Sequence, residues 1–172
     1  VTGKSVSLAS VSSLTTGRAN NYTARITNDG ALVAFQTQQR QNISVVPSQG
    51  GVVSKVCDWC YLRGWSNDGR KLLVENLELL DPGTGQKQVL LEAKPFGSWT
   101  QYFSAPRMSW DDHWLTFYKF SLDGGHAQIW ATPAHPGKAS DMSEWIPITD
   151  GKTVDMIPEF SPDGSRLYFY SQ

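Results

Sequence analysis

A short pattern, an apolar residue followed three positions later by Asp, returns four times along the 172 residues. The copies are Ile26-Thr27-Asn28-Asp29-Gly30, Trp65-Ser66-Asn67-Asp68-Gly69, Met108-Ser109-Trp110-Asp111-Asp112 and Phe160-Ser161-Pro162-Asp163-Gly164. Each is followed by a three-residue apolar core: Val33-Ala34-Phe35, Leu72-Leu73-Val74, Leu115-Thr116-Phe117 and Leu167-Tyr168-Phe169. The Asp residues step by 39, 43 and 52 positions. A second marker keeps the same register, because Gly3 precedes Asp29 and Gly85 precedes Asp111 by 26 residues each. Pro106 and Pro158 each stand five residues before their Asp. The long step is explained by the stretch 134–143, whose Pro136, Gly137 and small polar residues read as an enlarged loop.

Asp-Gly between two apolar runs points to a tight hairpin, since Gly enters positive φ without strain. Strand A then runs into each Asp and strand B follows it. Strand C is expected at 43–46, 77–80 and 128–132, and strand D at 52–56, 89–91 and 145–148. Four antiparallel strands in a repeat of about 40 to 45 residues make one propeller blade. β-branched and aromatic residues dominate the runs and no 3.6-residue apolar period is sustained, which argues against a helical solenoid. An immunoglobulin-like sandwich is the alternative with similar short strands.

Composition removes other classes. Apolar residues make up 40% and charged residues 18%, a balance that folds. Fifteen basic side chains face sixteen acidic ones, for a net charge of -1, so no nucleic-acid footprint is expected. No apolar run reaches the roughly 18 to 20 residues of a membrane helix, so membrane insertion by this segment is not expected. The first residues lack the basic start and apolar stretch of a secretory leader.

At the repeat the chain resembles the TolB-like propeller family, a relative of WD repeats. Phe160-Ser161-Pro162-Asp163-Gly164 with Leu167-Tyr168-Phe169 carries the family's pattern in full. The other copies depart from it: Asn28, Asn67 and Trp110 replace the Pro, and Asp112 replaces the Gly. The wider arrangement also resembles propellers at the C-terminal end of bacterial membrane-spanning Ser/Thr kinases, through Asp81-Pro82-Gly83-Thr84-Gly85 and the stretch 143–151. No kinase motif is present. The resemblance implies an all-β propeller of four-stranded antiparallel blades, in a bacterial, periplasmic or otherwise extracytoplasmic setting.

The register divides the chain into the end of a preceding blade (1–25), blades at 26–60, 61–101 and 102–154, and the first half of a further blade (155–172). About four blades are represented, so a segment of a larger propeller is expected. Open sheet edges in such a segment would invite self-association.

Candidate sites are few. The aromatic loop residues Phe96, Trp99, Tyr102 and Phe103 form the candidate ligand surface. Among Trp59, Tyr61, Trp65, Trp110 and Trp114, those on strand alternation with apolar neighbours are expected in the core. Asp29, Asp68, Asp111 and Asp163 are expected as turn residues that accept backbone hydrogen bonds, with calcium near the axis as the alternative. Cys57 and Cys60 lack the partners of a zinc site and the helix start of a redox motif. A local disulfide and two free thiols both stay open. His113, His126 and His135 are not spaced as metal ligands, and no seryl nucleophile motif occurs. No catalytic residue, metal or cofactor is therefore expected. The expected function is a non-catalytic module, a scaffold or sensor that binds a protein, peptide or cell-envelope ligand. The alternatives are the propeller of a larger hydrolase or lyase with its catalytic residues elsewhere, and a purely structural segment.

Overall fold

The computed structural model describes residues 14, 21–37, 42–75, 77–92, 97, 104–135 and 137–172. The described residues form fourteen strands in four antiparallel sheets. The first sheet contains β1 (Asn21–Ile26), β2 (Leu32–Thr37), β3 (Asn42–Pro47) and β4 (Ser54–Cys57). The second contains β5 (Leu62–Trp65), β6 (Leu72–Val74), β7 (Glu78–Leu80) and β8 (Lys87–Val89). The third contains β9 (Ser104–Met108), β10 (Trp114–Phe120), β11 (Ala127–Pro133) and β12 (Ile146–Pro147). The fourth pairs β13 (Asp155–Phe160) with β14 (Leu167–Ser171). Within each sheet the spatial order follows the sequence, which is the meander of a propeller blade.

The second sheet shows how period-2 alternation builds the core. Successive side chains of a strand point to opposite faces. Leu72, Val74 and Leu80 join Ala34, Ile43, Val45, Cys60 and Leu62 in a cluster against the first sheet. Leu73 and Leu79 point the other way, into a cluster with Leu115, Phe117, Trp130 and Trp145 of the third sheet. A strand packed on both faces has no polar alternation, which is why Leu72-Leu73-Val74 is wholly apolar. The rings of Phe117 and Trp145 meet edge to face at 5.2 Å. Buried Gln36 fastens the first sheet to the second: its Nε2 donates to Cys60 O at 3.1 Å, and its Oε1 accepts from Leu62 N at 3.1 Å.

Several strand limits differ from the sequence reading, for local reasons. Val52 and Val53 stand outside β4, and Val52 is exposed. Gly50 and Gly51 take φ of 87° and 136°, so the turn is longer and pairing resumes at Ser54. Leu90 and Leu91 leave β8 yet stay buried, with Leu90 N–H bonded to Leu77 O at 2.7 Å. The enlarged loop is anchored. Ser140 N–H donates to Leu90 O at 2.8 Å, and His135 Nε2 lies 2.6 Å from Glu144 Oε1. Asp141 caps a single 3-10 turn at Met142–Glu144, which leads buried Trp145 into the core. Among the described residues no helix is long and apolar enough to cross a membrane.

Candidate ligand site at the inner strands

The first strand of each sheet lies beside the first strand of the next: β1 by β5, β5 by β9, and β9 by β13. All four carry a bulge that sets two of their residues against one on the partner strand. Thr23, Ala105 and Ile157 sit at these bulges with φ of 52°, 41° and 55°, each six residues before its turn Asp. A non-glycine residue in that region costs roughly 1–2 kcal/mol. Its repetition at one repeat position marks it as part of the design, since bulges re-aim side chains near an edge.

Past the bulge, the position four before the turn Asp holds Arg25 in β1, Arg107 in β9 and Glu159 in β13. In β5 that position is Gly64, and the arginine stands one residue earlier as Arg63. Arg107 Nε donates to Glu159 Oε1 at 2.5 Å, and Arg63 is ion-paired with Glu75. Arg25 reaches across to β5, where its Nε donates to Arg63 O at 3.2 Å, and its Nη1 donates to Ala24 O at 3.0 Å. Burial, then the neighbouring Arg107, lower the Arg25 pKa from its ordinary value; Glu159 opposes this and Arg63 adds to it. The inner strands thus bring three guanidinium groups and the Glu159 carboxylate into one neighbourhood, with Glu75, just past β6, paired to Arg63.

The turn ends of these strands are built alike. In each, a buried Ser or Thr hydroxyl donates to the turn Asp: Thr27 to Asp29, Ser66 to Asp68, Ser109 to Asp111 and Ser161 to Asp163, at 2.5 to 2.6 Å. The same hydroxyl accepts the N–H five residues on, and the carboxylate accepts another N–H. The hydroxyl bond is the main reason these carboxyls lie below the usual carboxylate range. For Asp163 the value falls to about 2. Ser121 and Asp123 repeat the arrangement in the hairpin between β10 and β11, a fifth copy at the other end of the third sheet.

Neighbouring turn ends touch. Asn28 Nδ2 donates to Asn67 O at 3.2 Å and also to Asn67 Oδ1. Asn67 N–H is shared between the two Asp112 carboxylate oxygens, at 2.8 and 2.7 Å. Asp112 holds the glycine position of its turn with φ 59°, and burial raises its pKa. Trp110 packs on Gly164, where an added Cβ would meet the indole Nε1 at 2.6 Å. Between these turns lies a cleft of about 200 Å³, lined by Asn28, Trp65, Asn67, Trp110, Glu159 and Phe160 among others. Trp65 is fixed there by its indole N–H, which donates to Arg25 O at 3.0 Å. The cleft offers apolar rings, two amides and one carboxylate.

The residues singled out from sequence fall in different places. Phe96, Trp99, Tyr102 and Phe103 lie outside the described residues, in the connection between β8 and β9. Of the other aromatics, Trp59 and Trp110 lie outside the strands and are 75% and 53% exposed, and Tyr61 and Trp114 are exposed as well. Trp59 is turned outward at φ 58° between two cysteines. Trp110 replaces a turn Pro at a hairpin tip, where its ring packs on Gly164 of the next turn. The Sγ atoms of Cys57 and Cys60 are bonded, with Cα atoms 5.9 Å apart. His113 pairs with Asp111, and His135 with Glu144. Among the described residues no three His, Cys, Asp or Glu side chains gather as metal ligands. Arg25, Arg63, Arg107 and Glu159 went unread in the sequence. Three of them share one offset from the turn Asp, and that spacing could have found them.

No family model matches this sequence, and no curated protein matches it. Solved structures do. TolB from Agrobacterium tumefaciens is 27% identical, with a TM-score of 0.63 over 86% of this chain and 52% of its own. An oligogalacturonate lyase from Vibrio parahaemolyticus is 15% identical, with a TM-score of 0.69 over 88% of this chain and 45% of its own. TolB from Acinetobacter baumannii is 17% identical, with a TM-score of 0.64 over 91% of this chain and 39% of its own. The chain therefore spans about half the length of these proteins or less. With its four-stranded antiparallel sheets in sequence order and these neighbours, the chain has the TolB-like β-propeller fold.

Proposed function

We propose that this chain is a non-catalytic binding module that takes a peptide or protein segment in the cleft at the turn ends of the inner strands. The observation that carries the reading is the convergence of separate repeats on one small space: Asn28 from the first, Trp65 and Asn67 from the second, Trp110 from the third and Phe160 from the fourth. Half-exposed rings beside fixed amides suit a peptide, since the rings cover apolar side chains and the amides satisfy backbone groups. Phe96, Trp99, Tyr102 and Phe103, outside the described residues, stay a second candidate surface. The Cys57–Cys60 bond and the TolB neighbours support an extracytoplasmic location. A place in the propeller of a bacterial membrane-spanning kinase rests on 81–85 and 143–151 alone.

The enzymatic alternative is a lyase or hydrolase whose catalytic groups lie outside this chain. The similarity to the Vibrio lyase lends it support at the level of fold only. Selection from a random phage-displayed peptide library tests the binding reading. Peptides should be enriched on the wild type, kept by Trp114→Ala and lost by Trp110→Ala. Absence of any enriched sequence, or equal retention by Trp110→Ala, contradicts it.

A further inference from the structure

Of the three arginines on the inner strands, two are ion-paired with a carboxylate. Arg63 is paired with Glu75, and Arg107 with Glu159. Arg25 has its hydrogen bonds on the carbonyl oxygens of Ala24 and Arg63, and among the described residues no carboxylate forms an ion pair with it. It is half-buried, and the guanidinium groups of Arg107 and Arg63 act on it as like charges, so repulsion and loss of water both disfavour its charge. Carbonyl bonds hold the group in place, and Glu159, a carboxylate that acts on it, is already paired with Arg107.

We propose that Arg25 anchors an oxyanion site on the inner face of these strands, taking a carboxylate or phosphate group of a ligand, with Arg63 and Arg107 flanking it. Arginine suits the task because its planar fork binds either group bidentately. The site adjoins the cleft. Trp65, which lines the cleft, bonds its indole N–H to Arg25 O, and Glu159, also in the lining, is the partner of Arg107. The inference rests on the cleft being a ligand site and specifies the charge that enters it. The lowered Arg25 pKa agrees with the crowding and would return toward normal when an anion arrives.

The test is isothermal titration with malonate and, separately, inorganic phosphate, at constant ionic strength against chloride, with melting temperatures measured in parallel. At least one of the two should bind the wild type and raise its melting temperature. Arg25→Gln should weaken that binding about tenfold or more, the loss expected for one charge-assisted bidentate contact. Arg70→Ala, an exposed arginine at a turn, should leave it unchanged. Tighter binding of malonate assigns the site to carboxylates, and tighter binding of phosphate assigns it to phosphoryl groups. In the absence of anion, Arg25→Gln should melt no lower than the wild type, because it removes repulsion. Failure of both anions to bind, or equal binding by Arg25→Gln, overturns the proposal. The peptide selection separates this from the broader reading. Peptides held equally by the wild type and Arg25→Gln sink the anion site alone, and malonate binding without any selected peptide sinks the peptide reading alone.

Discussion

Gly164 and Gly124 occupy the same place in two copies of one turn, with φ of 69° and 72°. A Cβ at Gly124 meets nothing within 4 Å, whereas at Gly164 it meets Trp110 at 2.6 Å. Gly124→Ala should therefore report the backbone cost alone, about 1 kcal/mol. Gly164→Ala should cost more, and the excess should disappear in a Trp110→Ala background, as a denaturant double-mutant cycle would measure. The turn acids make a second prediction. The Asp163 carboxyl sits at about 2 in the fold, below its ordinary 3.8, because Ser161 and Ser165 donate to it. The unfolded chain binds that proton more readily, so the contribution is complete above the ordinary value and lost as pH falls through the folded one. Melting temperature should drop between about pH 4 and pH 2, and less so in Asp163→Asn. Both arguments start from a motif visible in the sequence. Asp112 is where the sequence misleads, because its apparent defect is a tie to the neighbouring turn at Asn67.

At the scale of elements, the strands with strict apolar runs are legible and the short outer ones are not. Leu72-Leu73-Val74 announces a strand because it is packed on both faces. β12 is two exposed residues, Ile146–Pro147, held by pairing with β11 rather than by any pattern of its own. Leu73→Ala should cost about 2–5 kcal/mol in denaturant unfolding, the range for a buried leucine. Leu122→Ala, at an exposed hairpin tip, should change stability by less than about 0.5 kcal/mol. Lys119 in β10 is fully buried, with its Nζ 5.5 Å from the centre of the Trp145 ring, and burial lowers its pKa from 10.5 to about 8. The fold favours the neutral amine, so stability should rise as pH climbs from about 8 toward 10.5 and fall on return through 8. Lys119→Met should abolish that rise. A lysine between aromatic and apolar strand residues reads as surface alternation from sequence, and only the facing sheet reveals that it is covered.

The whole molecule is a set of blades whose inner strands lie side by side and whose turn ends form one continuous surface. The repeat spacing made the blades readable. It could not show which turn touches which, because Asn28 and Asn67, Asn67 and Asp112, and Trp110 and Gly164 lie 39, 45 and 54 residues apart and meet through packing between blades. The contact between Asn67 and Asp112 stands at the centre of that surface, and its chemistry makes it measurable. An amide N–H bonded to a carboxylate moves strongly in nitrogen–proton correlation spectra when the acid ionises. A pH titration should show the Asn67 amide moving with a midpoint above 3.8, the ordinary carboxyl value that burial raises at Asp112, and the movement should vanish in Asp112→Asn. An Asn67 amide indifferent to pH, or one that titrates unchanged in Asp112→Asn, would contradict the joining of neighbouring blades into one turn-end surface.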